Sequence, residues 1–228
     1  MVYCGQMYIS IKLALINYGT YWSHQLQQYL VSNIPVNYLR ADQMARETPS
    51  LELTNHLKQL YHAYRHTKDI DQKGNFFSSV CHQVCRPQPS FAARNRETIV
   101  RYLHESADKG TNTSSSDTDA TSNQSKKGYY TIRPLREDEI EFGTDEQVAP
   151  AGFATASELK QKAETEGWVG MRVDLWDVEV GKEDSEQRLI KVHYWWRKEE
   201  DGWIQILHDI LSIGPRDGTE GSEGDVLE

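Results

Sequence analysis

The chain has 228 residues, a net charge of −9 and 38% hydrophobic residues, with a mean hydropathy of −0.69. That length suits one decorated domain, while the acidity argues against nucleic acid as a partner and the polarity leaves part of the chain outside any packed core. No apolar run approaches the ~18 residues of a membrane span, and the start lacks the basic lead and small-residue cleavage site of a signal peptide; a cytoplasmic protein with no membrane partner is expected.

The charge is uneven. Residues 1–104 hold 11 Lys/Arg against 6 Asp/Glu, and residues 105–228 hold 14 against 28. Basic helices packed on an acidic sheet would produce this split within one domain. Cys4, Cys81 and Cys85 are too few and too odd in number for a disulfide framework. On a strand, Cys81 and Cys85 would lie roughly 13 Å apart, too far to share a metal ion. No metal and no cofactor are expected.

In chain order, residues 1–49 read as an N-terminal extension, in which MYISIKLALINY fits either a strand or a buried helix. Ser50 can cap a helix running to Thr67, with Leu53, Leu57, Leu60, Tyr61 and Tyr64 along one face. Asn75–Val80 reads as a short helix or turn and Cys81–Arg86 as a short strand, closed by Pro87 and Pro89. A further helix is expected over Phe91–Glu105, with Ile99, Val100 and Leu103 buried. Residues 106–128 are low in complexity, have almost nothing to bury, and read as a disordered insertion.

Tyr129–Leu135 reads as a strand. Thr155 and Glu158 form a capping box for a helix that Gly167 stops. Met171–Val180 alternates as a strand, and residues 214–228 read as a disordered acidic tail. Between these lies LIKVHYWWRKEEDGWIQILHDILSI, Leu189–Ile213. Asp201-Gly202 separates two β-rich runs and predicts a hairpin. With those two residues as the turn, Trp196 opposes Leu207 and Tyr194 opposes Asp209. Tyr194, Trp196, Gln205, Leu207, Asp209 and Leu211 then share the more apolar face. His193, Trp195 and His208 fall on the other, which suits solvent or a homodimer partner.

These elements predict an α+β fold in which a curved antiparallel sheet wraps around helices. The segments YHAYRHTKDID, FFSSVCHQVCRP and HYWWRKEEDGWIQILHD together resemble the nuclear transport factor 2-like cone in its SnoaL-like branch, over residues 50–213. The resemblance implies a pocket between the concave sheet face and the helices, lined by Tyr61, Tyr64 and Arg65 of the first helix and by Trp196, Leu207 and Leu211. The scytalone dehydratases are similar in the last hairpin, but Arg65 and His66 stand where that family has its Tyr-Asp pair. The strand GWVGMRVDLWDV lacks the histidine that they carry.

An acid among Leu207, Leu211, Trp196 and Tyr194 would lose solvation and gain basicity. Asp209 is therefore the candidate general base and Tyr194 its proton-donating partner. The plainer alternative is that Asp209 pairs with an arginine. Two functions stay open: a cofactor-independent isomerase, cyclase or dehydratase acting on a small apolar molecule, or a non-catalytic binding or dimerisation module.

Overall fold

The computed structural model describes residues 49–112, 127–178, 183, 187–222 and 224–228. Helix α1 spans Leu51–His66 and begins as its sequence dictates, with the Leu53 amide donating to Ser50 Oγ at 3.2 Å. Its buried residues are Thr54, Leu57, Tyr61 and Tyr64, the i, i+3/i+4 stripe of an amphipathic helix. A short turn of helix, α2 (Ile70–Lys73), leads into β1 (Phe77–Cys85).

Helix α3 runs Arg96–Asn112, with the Thr98 amide donating to Asn95 Oδ1 at 2.9 Å. It starts later than the sequence predicts, because Pro89–Phe91 is taken up by a 3-10 turn and Ala93 pairs with Gln83 of β1. It also continues through residues 106–112, the front of the expected insertion, which therefore is helical there. Residues 113–126 lie outside the described residues.

β2 covers Lys127–Pro134. A covering segment follows with the short helix α4 (Asp145–Val148) and helix α5 (Ala156–Thr165). Thr155 Oγ1 caps α5 by accepting from the Glu158 amide at 3.0 Å. β3 (Val169–Val178), β4 (Arg188–Glu199) and β5 (Gly202–Pro215) complete a five-stranded sheet in the order β1-β5-β4-β3-β2. Three of the four pairings are antiparallel, but β1 runs parallel to β5. The sheet is thus mixed at its β1 edge, because the chain crosses the sheet between β1 and β2 instead of turning back beside it.

Both faces are covered. The concave face packs Met171, Val173, Val192, Tyr194 and Trp196 against Leu57, Tyr61 and Tyr64 of α1 and Ile99 of α3. The opposite face packs Trp195, Ile206 and Leu207 against Leu135, Phe142, Val148, Phe153 and Leu159 of the covering segment. Burying each such large side chain stabilises the fold by about 1.5–3 kcal/mol. Among the described residues, no helix is long and apolar enough to cross a membrane.

The expected disordered tail is a paired one. Leu227 exchanges two backbone hydrogen bonds, both 2.9 Å, with Tyr130 at the free edge of β2. Lys191 Nζ donates to Asp217 Oδ2 at 2.7 Å. Residues 1–48 lie outside the described residues.

Candidate functional site

The register of the β4–β5 hairpin decides which side chains enter the concave interior. Glu199 pairs with Gly202, so the turn is Glu200-Asp201, one step earlier than Asp201-Gly202. Trp196 then faces Gln205, but Trp195 faces Leu207, leaving Ile206 as an extra residue in β5. Such a bulge exchanges the faces of everything beyond it. Tyr194 accordingly faces His208, and His193 faces Asp209. A second shift between Lys191 and Val192 leaves Leu211 as another extra residue.

Three expected site residues therefore leave the pocket face. Leu207 is fully buried with Trp195 on the opposite face. Leu211 sits half-buried at the second bulge. Asp209 lies under the covering segment and takes a two-pronged contact from Arg86: Nε donates to Oδ1 at 2.9 Å and Nη2 to Oδ2 at 2.6 Å. Arg86 Nη1 also meets Glu141 at 2.6 Å. Burial pushes the Asp209 carboxyl up, against the pull of Arg86; the geometry is that of a structural ion pair. Asp209 and Tyr194 do not form an acid–base pair.

Tyr61, Tyr64, Tyr194 and Trp196 do come together. The Tyr61 ring lies 5.8 Å from Tyr64, 5.1 Å from Tyr194 and 5.3 Å from Tyr130. Tyr194 is 5.9 Å from Trp196. His208, which the regular hairpin assigns to the far side, joins them: its ring is 4.9 Å from Tyr194 and 4.8 Å from Phe77, edge-on to both. Gln205, opposite Trp196 on the same face, accepts through Oε1 from His208 Nε2 at 2.7 Å; an amide oxygen can only accept, so His208 carries its proton on Nε2. Burial pushes the His208 pKa down to about 3, so the imidazole is neutral.

This interior is apolar except for its hydroxyls, the imidazole and one amide. The Tyr61 hydroxyl and Gln205 Nε2 are buried with no hydrogen-bond partner; the Tyr194 phenol is the polar neighbour of Tyr61. Burial raises the pKa of Tyr61, Tyr64 and Tyr194 well above the ordinary phenol range, so all three remain protonated donors. Tyr194 and Tyr64 keep 8% and 7% of their surface accessible, against 1% for Trp196 and 0% for Tyr61. Arg65 stands at the end of α1 beside them, its guanidinium 5.7 Å from the Tyr130 ring centre. Tyr130 in turn hydrogen-bonds His62 Nδ1 at 2.7 Å.

On the opposite face, Arg172, His193 and Asp209 form a polar row across β3, β4 and β5. Arg172 Nε donates to Asp174 Oδ1 at 2.7 Å, and Arg133 grips Glu139 with two contacts of 2.6 Å. His193 is buried with neither nitrogen bonded. Burial, with Arg172 and Arg86 adding to it, pushes its pKa down to about 4. His193 and His208 are therefore on opposite faces and cannot act as a pair. Among the described residues no cluster of His, Cys, Asp and Glu has the makings of a metal site.

Of the two further interior polar residues, Gln205 was on the expected face but given no role, and His208 was assigned to the other face and is turned inward by the Ile206 bulge. Their only signal in the sequence is that both are polar residues inside a strongly apolar strand, where a buried polar group needs a partner.

The SnoaL-like domain family matches residues 46–228. No curated protein matches the chain. Among solved structures, a protein of unknown function with a cystatin-like fold from Nostoc punctiforme is 13% identical, over 77% of this chain and 98% of that one, with a TM-score of 0.41. ActVI-ORFA from Streptomyces coelicolor is 12% identical over 68% and 92%, with a TM-score of 0.38. The beta subunit of the benzoate 1,2-dioxygenase from Burkholderia mallei is 9% identical over 72% and 91%, with a TM-score of 0.39. With the family matching most of its length, the chain belongs to the SnoaL-like domain family.

Proposed function

We propose that this SnoaL-like protein binds a small, flat, mainly apolar molecule in the concave interior between α1, α3 and the sheet. The observation that carries the reading is the pair of unpartnered buried donors, the Tyr61 hydroxyl and the Gln205 amide. A buried polar group left unsatisfied costs about 1–3 kcal/mol. A fold that keeps two of them among aromatic rings is arranged for an acceptor that arrives from outside, such as a carbonyl or phenol oxygen. The rings of Tyr64, Tyr194, Phe77 and Trp196 supply the flat apolar walls.

The chemistry available is that of neutral donors. Among the described residues the buried carboxylates, Asp174 and Asp209, lie on the opposite face, and the imidazole of His208 is a weak base. Binding is thus the first function. A cofactor-independent isomerisation, cyclisation or dehydration is the second reading; it is favoured by the contact between His208 and Tyr194, which places a neutral base beside a phenol donor.

The test is a titration with the neutral, carbonyl-bearing fluorophore 6-propionyl-2-(dimethylamino)naphthalene, comparing wild type with Tyr61→Phe and Gln205→Leu. Binding should be saturable and weakened by both changes. Tyr61→Phe should leave the melting temperature unchanged or raise it, because the lost hydroxyl has no partner in the free protein. Unchanged affinity in both variants would remove the interior as the binding site.

A further inference from the structure

We propose that the ligand of this interior is an aromatic molecule bearing a carboxylate, and that Arg65 holds that group. This rests on the binding chamber described above and specifies its ligand. Arg65 closes the last turn of α1 and is half-buried. Its charge bears on Tyr61, Tyr64, Tyr130 and Tyr194: burial raises the pKa of each hydroxyl, and Arg65 draws each one back. One guanidinium thus stands within electrostatic reach of four tyrosines that line one end of the chamber.

Among the described residues, Arg65 forms no ion pair with a carboxylate; its guanidinium stacks on the face of Tyr130 and runs beside Gly128. The partly buried arginines of the opposite face behave differently. Arg86, Arg133 and Arg172 each grip a carboxylate. Asp177 is the neighbouring acid: its Oδ1 and Arg65 Nη2 each lie 3.6 Å from the place a Gly128 Cβ would take, and Asp177 is itself engaged. A half-buried guanidinium with no counter-ion is poorly compensated, and its planar fork matches a carboxylate in two parallel hydrogen bonds.

The end of a helix normally repels anions because its last carbonyls are bare. Here Lys73 Nζ donates to the Tyr64 and Arg65 carbonyls at 3.0 and 3.4 Å, and stands 4.7 Å from the Tyr64 ring centre. The helix end is therefore neutralised by a second cation. Arg65 and Lys73 bring two cations to this end, and the tyrosine hydroxyls add neutral donors. An aromatic carboxylate laid over Tyr64 and Tyr194 would place its ring against theirs and its charge on Arg65.

The experiment uses the full chain and two probes that share a skeleton: N-phenyl-1-naphthylamine, which is neutral, and 8-anilinonaphthalene-1-sulfonate, which carries an anion of similar fork-accepting chemistry. The anionic probe should bind about tenfold tighter or better, and the two should displace each other. Arg65→Gln should remove that preference while leaving the neutral probe within about twofold. Arg65→Lys keeps the charge and loses the fork, so it should retain only part of the preference. It also serves if Arg65→Gln fails to melt cooperatively. Equal binding of the two probes by wild type, lack of mutual displacement, or a preference that survives in Arg65→Gln or is undiminished in Arg65→Lys would overturn the proposal. Neutral binding without anion preference sinks this inference alone, whereas binding of neither probe sinks the chamber as well.

Discussion

His208 meets Tyr194 edge-on, 4.9 Å between ring centres, across the β4–β5 ladder. Their meeting depends on Ile206, a single extra residue that turns His208 inward and Asp209 outward. The interior consequently holds a neutral imidazole and phenols, and the one buried aspartate of β5 serves the structure on the other face. Four consequences are open to measurement.

Asp209→Asn should destabilise the protein by about 3–5 kcal/mol, because it leaves Arg86 buried with only the half-exposed Glu141 as counter-ion. Urea melts at neutral pH would show it. Affinity for N-phenyl-1-naphthylamine should be retained in the folded fraction, since Asp209 is not in the chamber. A variant as stable as wild type would mean that the ion pair is not formed.

Stability should fall as the pH drops below ~6.5, the ordinary histidine value. His193 and His208 have folded-state values pushed down to about 4 and about 3. Between those values and 6.5 the unfolded chain binds more protons than the folded one, so the stabilisation present at neutral pH is lost on acidification. Glu139, held down to about 2 by Arg133, adds to the loss below its ordinary range. His193→Leu removes one of the two histidines and two unbonded nitrogens. Urea melts of this variant at pH 7, 5 and 4 should show a shallower dependence than wild type; an equal slope would mean that His193 does not resist protonation.

Gly170→Ala should destabilise by about 1–3 kcal/mol through overpacking. Gly170 lies opposite Trp195 on β3, and an added Cβ would collide with Leu135 and come within 3.0 Å of the Trp195 ring. Leu135 belongs to the covering segment, so the same change should raise protease sensitivity between β2 and β3. A neutral effect on the melting temperature would show that the covering segment is looser than its packing implies.

The helices were legible where local chemistry defines them. Ser50 and Thr155 cap α1 and α5, and the Leu57–Tyr61–Tyr64 stripe identifies the buried face of α1. The β4–β5 hairpin was legible from its two β-rich runs and charged turn. Its inner face was not, because a period-of-two reading assumes an unbroken ladder and the Ile206 bulge breaks it after four residue pairs, from Gly202 to Gln205. Tyr194 and Trp196 stay on the concave face because the extra residue is in β5 and β4 keeps its alternation, whereas Leu207 and Asp209, beyond Ile206, change face. The parallel pairing of Phe77 with Gln205 joins residues distant in sequence, where no turn chemistry marks the partner. Arg86 likewise carried no signal of its contact with Asp209, since only that pairing brings β1 beside β5.

The central claim is that ligands enter the concave face and meet Gln205 and His208. Nuclear magnetic resonance of the side chains tests it directly, by following the Gln205 amide and the ring signals of His208 and His193 as N-phenyl-1-naphthylamine is added. The Gln205 and His208 signals should shift with saturable dependence on probe, while those of His193 stay in place. Shifts confined to His193, with Gln205 and His208 unmoved, would put the ligand on the opposite face and contradict the account.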